Sequence, residues 1–122
     1  VEDNPVNRTV VQAMLHQMGC EVDVAVDGAE AVLKAGTGCY ALILMDCRLP
    51  VMDGYEATRR IRQLSGLDRI PIIALTANAL QGDRDACLQA GMDDYLAKPF
   101  KHADLQKVLL RWLSFRVAAT GD

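Results

Sequence analysis

The 122-residue sequence predicts a doubly wound α/β domain, a parallel sheet with helices on both faces. Short apolar runs alternate with amphipathic helical stretches along the chain, which is the pattern of strands joined by helical crossovers. The run 41–45 is apolar without interruption, as suits a central parallel strand covered on both sides. A third feature is where charge falls: Glu2-Asp3, Asp46 and Lys98-Pro99 all stand at strand exits, the edge at which such sheets carry their sites.

The elements follow in order. Asn4 is placed to cap a helix opening with Pro5, since asparagine accepts from free first-turn amides and proline is tolerated there. Val6, Val10, Val11, Met14, Leu15 and Met18 recur at helical spacing up to Gly19, a C-terminal stop. Residues 21–26 alternate polar and apolar, as a half-buried strand does, and Asp27-Gly28 turns the chain into a short helix through Leu33 that ends near Gly36 and Gly38. After the strand at 41–45 and a loop to Asp53, residues 54–64 read as a helix with Tyr55, Thr58, Ile61 and Leu64 toward the core. Gly54 lets the loop turn into that helix, and Met52 anchors the loop. Residues 70–76 form a β-rich run with Pro71 at its start, followed by a helix at about 82–90 and a strand at 94–97. A last helix at about 103–115 carries Leu105, Val108, Leu109, Trp112 and Leu113 on one stripe. Glu2-Asp3 sits at a strand exit with only Val1 before it, so the central first strand is expected upstream of the sequence; without it two strand edges stay unpaired. The expected organisation is one domain over residues 1–116, lacking that strand, and a tail at 117–122.

Composition narrows the chemistry. A formal charge of −3 and scattered basic residues argue against a nucleic-acid surface. The cluster Arg59, Arg60 and Arg62 reads as a solvated helix face. No apolar run is long enough to span a bilayer and no leader precedes the domain, so a cytoplasmic module without membrane contact is expected. The cysteines Cys20, Cys39, Cys47 and Cys87 have no metal or redox spacing, and His16 and His102 read as surface residues. The thiols read as buried or incidental, and Cys47, which follows Asp46 directly, reads as a small filler residue, with a place at the crevice rim as the alternative.

At the strand exits Glu2, Asp3 and Asp46 set three carboxylates against the one ammonium of Lys98. Three carboxylates converging without a counter-charge repel, so the arrangement implies a bound cation; a hard ion such as Mg2+ suits oxygen ligands of this kind.

Four segments then coincide in order: Glu2-Asp3-Asn4-Pro5; Leu44-Met45-Asp46 with Leu49-Pro50-Val51-Met52-Asp53-Gly54; Ala74-Leu75-Thr76-Ala77; and Tyr95-Leu96-Ala97-Lys98-Pro99-Phe100. Together they resemble the receiver domain of two-component response regulators, across the whole chain except the absent first strand. The resemblance implies a five-stranded, flavodoxin-like sheet of order 2-1-3-4-5. It implies that Asp46 is the phosphoacceptor, attacking a phosphoryl group to form an acyl phosphate, so that the domain is a phosphoacceptor rather than an enzyme. It further implies Mg2+ held by Asp3, by Glu2 through water, by Asp46 and by the backbone carbonyl of Arg48. Lys98 and Thr76 would contact phosphoryl oxygens, Tyr95 would switch inward as Thr76 moves, and Pro99 would follow a cis peptide bond that orients the lysine. Arg48 and Asn78 match positions that tune phosphate lifetime.

The wording from Asp46 to Thr58 and from Ala74 to Ala79 looks most like receivers fused to hybrid sensor histidine kinases, whose full-length proteins are kinases. A stand-alone receiver, or the receiver half of a DNA-binding regulator, is the alternative. An aspartate-nucleophile phosphatase typically needs a second acid two positions beyond the nucleophile, and Arg48 stands there. A degenerate receiver acting only by binding is opposed by intact Asp46, Thr76 and Lys98. The implied partner is a histidine kinase or a histidine-containing phosphotransfer domain, and the resemblance also allows a phosphorylation-dependent dimer. The apolar stripe of the first helix is wider than its core contact needs, so Val6 and Val10 are candidates for the docking surface.

Overall fold

The computed structural model describes residues 1–37, 40–47, 49, 52–64, 70–76, 81–98 and 100–114, with side chains of 81–84, 113 and 114 left aside. Arg48, Asn78, Pro99, Cys39 and the 117–122 tail lie outside the described residues. In chain order the elements are α1 (Pro5–Gln17), α2 (Gly28–Thr37), β1 (Ile43–Asp46), α3 (Gly54–Gln63), β2 (Ile72–Thr76), α4 (Gln81–Ala90), β3 (Asp94–Ala97) and α5 (His102–Leu109). The last helix widens into a π-type turn over Leu110–Ser114.

The three strands pair in parallel in the order β1-β2-β3, with Ile43 opposite Ile72 and Asp46 opposite Leu75, then Ile73 opposite Asp94 and Thr76 opposite Ala97. Parallel pairing brings every C-terminal strand end to one edge. Alternation across the pleat divides the core in two. Met45, Ile72 and Ala74 pack with Ala31, Ala57, Ile61 and Cys87 on the side of α2, α3 and α4. Leu44, Ile73, Leu75 and Leu96 pack with Leu15, Leu105 and Val108 on the side of α1 and α5.

Local chemistry sets the boundaries. The Asn4 side chain accepts from the amides of Val6 at 2.9 Å and Asn7 at 3.2 Å, fixing the start of α1. Gly19 ends that turn at φ 83°, a conformation that disfavours any side chain. α2 ends at Thr37, at the stop expected near Gly36 and Gly38. At Gly54, where the loop turns into α3, a Cβ would stand 2.1 Å from the carbonyl oxygen of Asp46. α3 therefore begins in contact with the strand end that carries the acid.

One expected strand differs. Residues 21–26 form no ladder among the described residues. They and β1 both reach Val1-Glu2 instead: the Glu2 amide donates to Ala25 O at 3.1 Å, the Val1 amine to Leu44 O at 2.5 Å, and the Asp46 amide to Val1 O at 3.1 Å. Between the two segments lies a cavity of about 390 Å³, lined by Val22, Val24, Leu42 and Leu44 among others. A single hydrogen bond does not make a ladder, so alternation alone did not yield a strand here.

Candidate functional site

Each acid is delivered by a different piece of backbone. Glu2 and Asp3 sit between the Val1 contact to β1 and the Asn4 cap of α1, while Asp46 is the last residue of β1. Ligand oxygens of Glu2, Asp3 and Asp46 all lie within 4.8 Å of one another. Glu2 and Asp46 are each 6% exposed, whereas Asp3 faces solvent. Lys98, one residue past β3, places Nζ 2.8 Å from Asp46 Oδ2 and 3.0 Å from Glu2 Oε2. Its amide donates to Thr76 O at 2.7 Å, which ties the exits of β2 and β3 together.

The electrostatics follow from this packing. Burial alone pushes the Glu2 carboxyl up, but hydrogen bonding with Asp46, Lys98 and Asn7 outweighs it and holds the group below the usual 4.5. Burial likewise pushes Lys98 down, and its bonds to Asp46 and Glu2 outweigh that, lifting the ammonium above 10.5. The lysine is thus locked in its charged form. Three carboxylates still face one ammonium, and their oxygens cluster at a spacing a small divalent ion can bridge. Carboxylate oxygens are hard donors that fit Mg2+, and the cluster offers no soft ligand of the kind copper or zinc thiolate sites need.

Among the other expected site residues, Thr76 is 5% exposed at the end of β2. Tyr95 is half-buried in β3 and packs against the α3/α4 side of the core. Val6 and Val10 are 70% and 48% exposed on α1, whose first turn follows Asp3 directly. Arg48, Asn78 and Pro99 lie outside the described residues, so their roles stay expectations. Two groups went unnoticed in the sequence. Asn7 Nδ2 donates to Glu2 Oε1 at 3.1 Å, and Arg8 reaches the carbonyls of Glu2 and Asp3 at 3.3 Å. Their signal was position: one helical turn after a capped acidic pair, side chains turn back onto it.

One expectation holds and one needs correction. Cys47 is 5% exposed, a buried filler as its first reading has it and not a rim residue, and burial pushes its thiol up to about 12. Arg62 does not share the solvated face of Arg59 and Arg60, which pair with Glu56. It turns inward to Gly91 O, Ile70 O and Asp93.

Comparison with known proteins agrees with this geometry. The family model described as "Response regulator receiver domain" matches residues 1–110. The chain is 44% identical over 116 residues to the sensor protein GacS of Pseudomonas syringae pv. syringae, covering 92% of the chain and 13% of that protein. It is 42% identical over 112 residues to the signal transduction histidine-protein kinase BarA of Escherichia coli K12, covering 92% of the chain and 12% of that protein. Among solved structures it resembles the receiver domain of a sensor histidine kinase of Pseudomonas aeruginosa PAO1, with a magnesium ion coordinated in the active site cleft: 63% identity, 93% of each chain covered, TM-score 0.88. It also resembles the Saccharomyces cerevisiae complex of the histidine phosphotransfer protein Ypd1 with the receiver of Ssk1, at 35% identity, with 91% of this chain and 83% of that one covered and TM-score 0.85. Sequence, sheet order and crevice agree, and the chain belongs to the response regulator receiver domain family.

Proposed function

We propose that the chain receives a phosphoryl group from a phosphohistidine on Asp46, in a Mg2+-dependent step of a two-component phosphorelay. The observation that carries this is the buried Asp46 carboxylate at the exit of β1, 2.8 Å from the Lys98 ammonium and within the oxygen cluster of Glu2 and Asp3. An Asp46 oxygen attacks phosphorus, the P–N bond to the donor imidazole breaks, and the imidazole leaves with the electron pair and takes up a proton. Glu2, Asp3 and Asp46 would hold Mg2+, with the Arg48 carbonyl completing the protein ligands. The ion, when bound, offsets charge on the transferring phosphoryl oxygens. Lys98 already lies at the attacking oxygen and supplies a fixed positive charge to a phosphoryl oxygen; Thr76 supplies a hydroxyl from the neighbouring strand end. Tyr95, on the strand that leads into Lys98, is the switch residue in this reading.

The donor is a histidine kinase or a histidine-containing phosphotransfer domain, docking on Val6 and Val10. Their exposure beside Asp3 supports that choice, as does a relative seen in complex with a phosphotransfer protein. The full protein is a hybrid sensor kinase in this reading, since curated relatives carry such names although the chain spans only about an eighth of their length. No helix among the described residues is long and apolar enough to cross a membrane, and the domain is assigned to the cytoplasm.

Incubation with acetyl phosphate, followed by mass mapping, tests the central step. Labelling is expected on Asp46 alone and only with Mg2+. Label persisting in Asp46→Asn, or full labelling in excess chelator, would overturn the assignment. Val6→Asp and Val10→Asp are expected to lower transfer from a phosphohistidine protein while acetyl phosphate labelling holds; equal loss in both would remove the docking role.

A further inference from the structure

The α3/α4 side of the core contains two thiols in contact. Cys47 Sγ and Cys87 Sγ are 3.8 Å apart, and the two residues are 5% and 1% exposed. Cys47 is the residue after Asp46. Cys87 is on α4, which begins five residues after Thr76. The thiols therefore sit on the two chain segments that leave the strand exits of the crevice.

We propose that Cys47 and Cys87 form a disulfide on two-electron oxidation, and that this crosslink restrains phosphorylation at Asp46. The oxidant is a hydroperoxide such as hydrogen peroxide. One sulfur attacks a peroxide oxygen, the O–O bond breaks and one water leaves, giving a sulfenic acid. The second sulfur attacks the sulfenic sulfur, the S–O bond breaks and a second water leaves, so two thiols and one peroxide give one disulfide and two waters. Both sulfurs lose contact with solvent while α4 is seated, so the reaction runs through partial opening of that helix.

Closing 3.8 Å to a bond of about 2.05 Å requires a shift on one side. The Cys47 side is clamped. Its amide donates to Leu75 O, its carbonyl accepts from Gly54, and the Asp46 carbonyl lies against Gly54 with no room for a Cβ. Cys87 and α4 must therefore move toward the strand that ends in Asp46. The crosslink then ties the residue that follows the nucleophile to a displaced α4.

The inference rests on the phosphoacceptor reading only for its consequence at Asp46. To test both parts, the folded protein is treated with graded hydrogen peroxide, alkylated under denaturation and mapped by mass spectrometry. A Cys47–Cys87 linked peptide is expected, reversed by dithiothreitol and absent in Cys87→Ala. Linkage found only through Cys20 or Cys39, or no linkage at all, would overturn the proposal. Acetyl phosphate labelling of oxidised protein is then compared with reduced protein. The rate is expected to fall by about tenfold or more and to recover on reduction, since misplacement by about 1 Å at a reacting geometry can cost up to about a hundredfold. Oxidised Cys87→Ala should label at the rate of its reduced form. An unchanged rate in fully crosslinked protein would remove the restraint, whereas failure of the reduced protein to label would instead strike the phosphoacceptor reading.

Discussion

The two ends of β2 carry two charge clusters built to opposite specifications. At its N-terminal end, Arg62 spends its guanidinium on Gly91 O at 2.9 and 2.7 Å, Ile70 O at 2.6 Å and Asp93 Oδ2 at 2.7 Å, and Asp93 Oδ2 in turn accepts the Ile72 amide at 2.8 Å. Among the described residues, the partners of Arg62 there are one carboxylate and two backbone carbonyls. At the C-terminal end Lys98 pairs with Glu2 and Asp46, whose oxygens cluster with those of Asp3, so that among the described side chains one ammonium meets a cluster of three carboxylates. A planar fork suits the first place because it satisfies several acceptors at fixed angles; a compact ammonium suits the second because it can follow a moving oxygen. The balanced cluster closes the structure. The unbalanced one leaves negative charge for a cation and a phosphoryl group to answer.

Substitution should separate these roles. Lys98→Ala is expected to slow acetyl phosphate labelling by about a hundredfold, the scale of losing a preorganised charge at a reacting centre, while the urea midpoint measured with Mg2+ stays close to wild type. A large loss of stability with Mg2+ present would mean that the crevice, too, is a structural clamp. Arg62→Ala should do the reverse. Leaving Asp93 and two carbonyls without their partner is expected to cost about 2–3 kcal/mol in urea unfolding, with labelling per folded molecule unchanged. Arg59→Ala, on the exposed face of the same helix, is the control and should change stability by less than about 0.5 kcal/mol.

The smallest effect is in pH. Glu2 is held below 4.5, so its contribution to stability is present above that value and is lost as pH falls through the folded-state pKa. Lys98 is lifted above 10.5, so its contribution is present below that value and is lost as pH rises through the folded-state pKa. In metal-free protein the stability advantage of wild type over Lys98→Ala should therefore be widest between 4.5 and 10.5 and shrink on both sides. Urea midpoints across that range would show it; a flat difference would mean that the crevice pairs do not act on folding.

Why one cluster was legible and the other was not is a matter of locality. Asp46 and Lys98 each end a short apolar run, and the parallel pairing of those runs follows from the alternation of strands and helices, so their convergence could be foreseen. The strand at 94–97 was read with its boundaries for the same reason. Arg62 looked like its neighbours Arg59 and Arg60, and nothing local says that one of three arginines turns toward Gly91 and Asp93, some thirty positions on. The contact of Cys47 with Cys87 is equally non-local: two small residues in separate elements leave no periodic trace. Residues 21–26 alternate as a strand does, yet a ladder depends on a neighbouring strand that alternation cannot supply.

Two glycines hold the loop between these elements from both sides. A Cβ at Gly54 would meet the Asp46 carbonyl oxygen at 2.1 Å, and a Cβ at Gly28 would meet the Met52 carbonyl oxygen at the same distance. Neither residue handles a proton, a metal or a phosphate. Yet if a library of random variants were selected for signalling, glycine at 28 and 54 should return as stubbornly as aspartate at 46. Intolerance to change would then mark the walls of the crevice as strongly as its chemistry, and chemical labelling would be needed to tell a wall from a nucleophile.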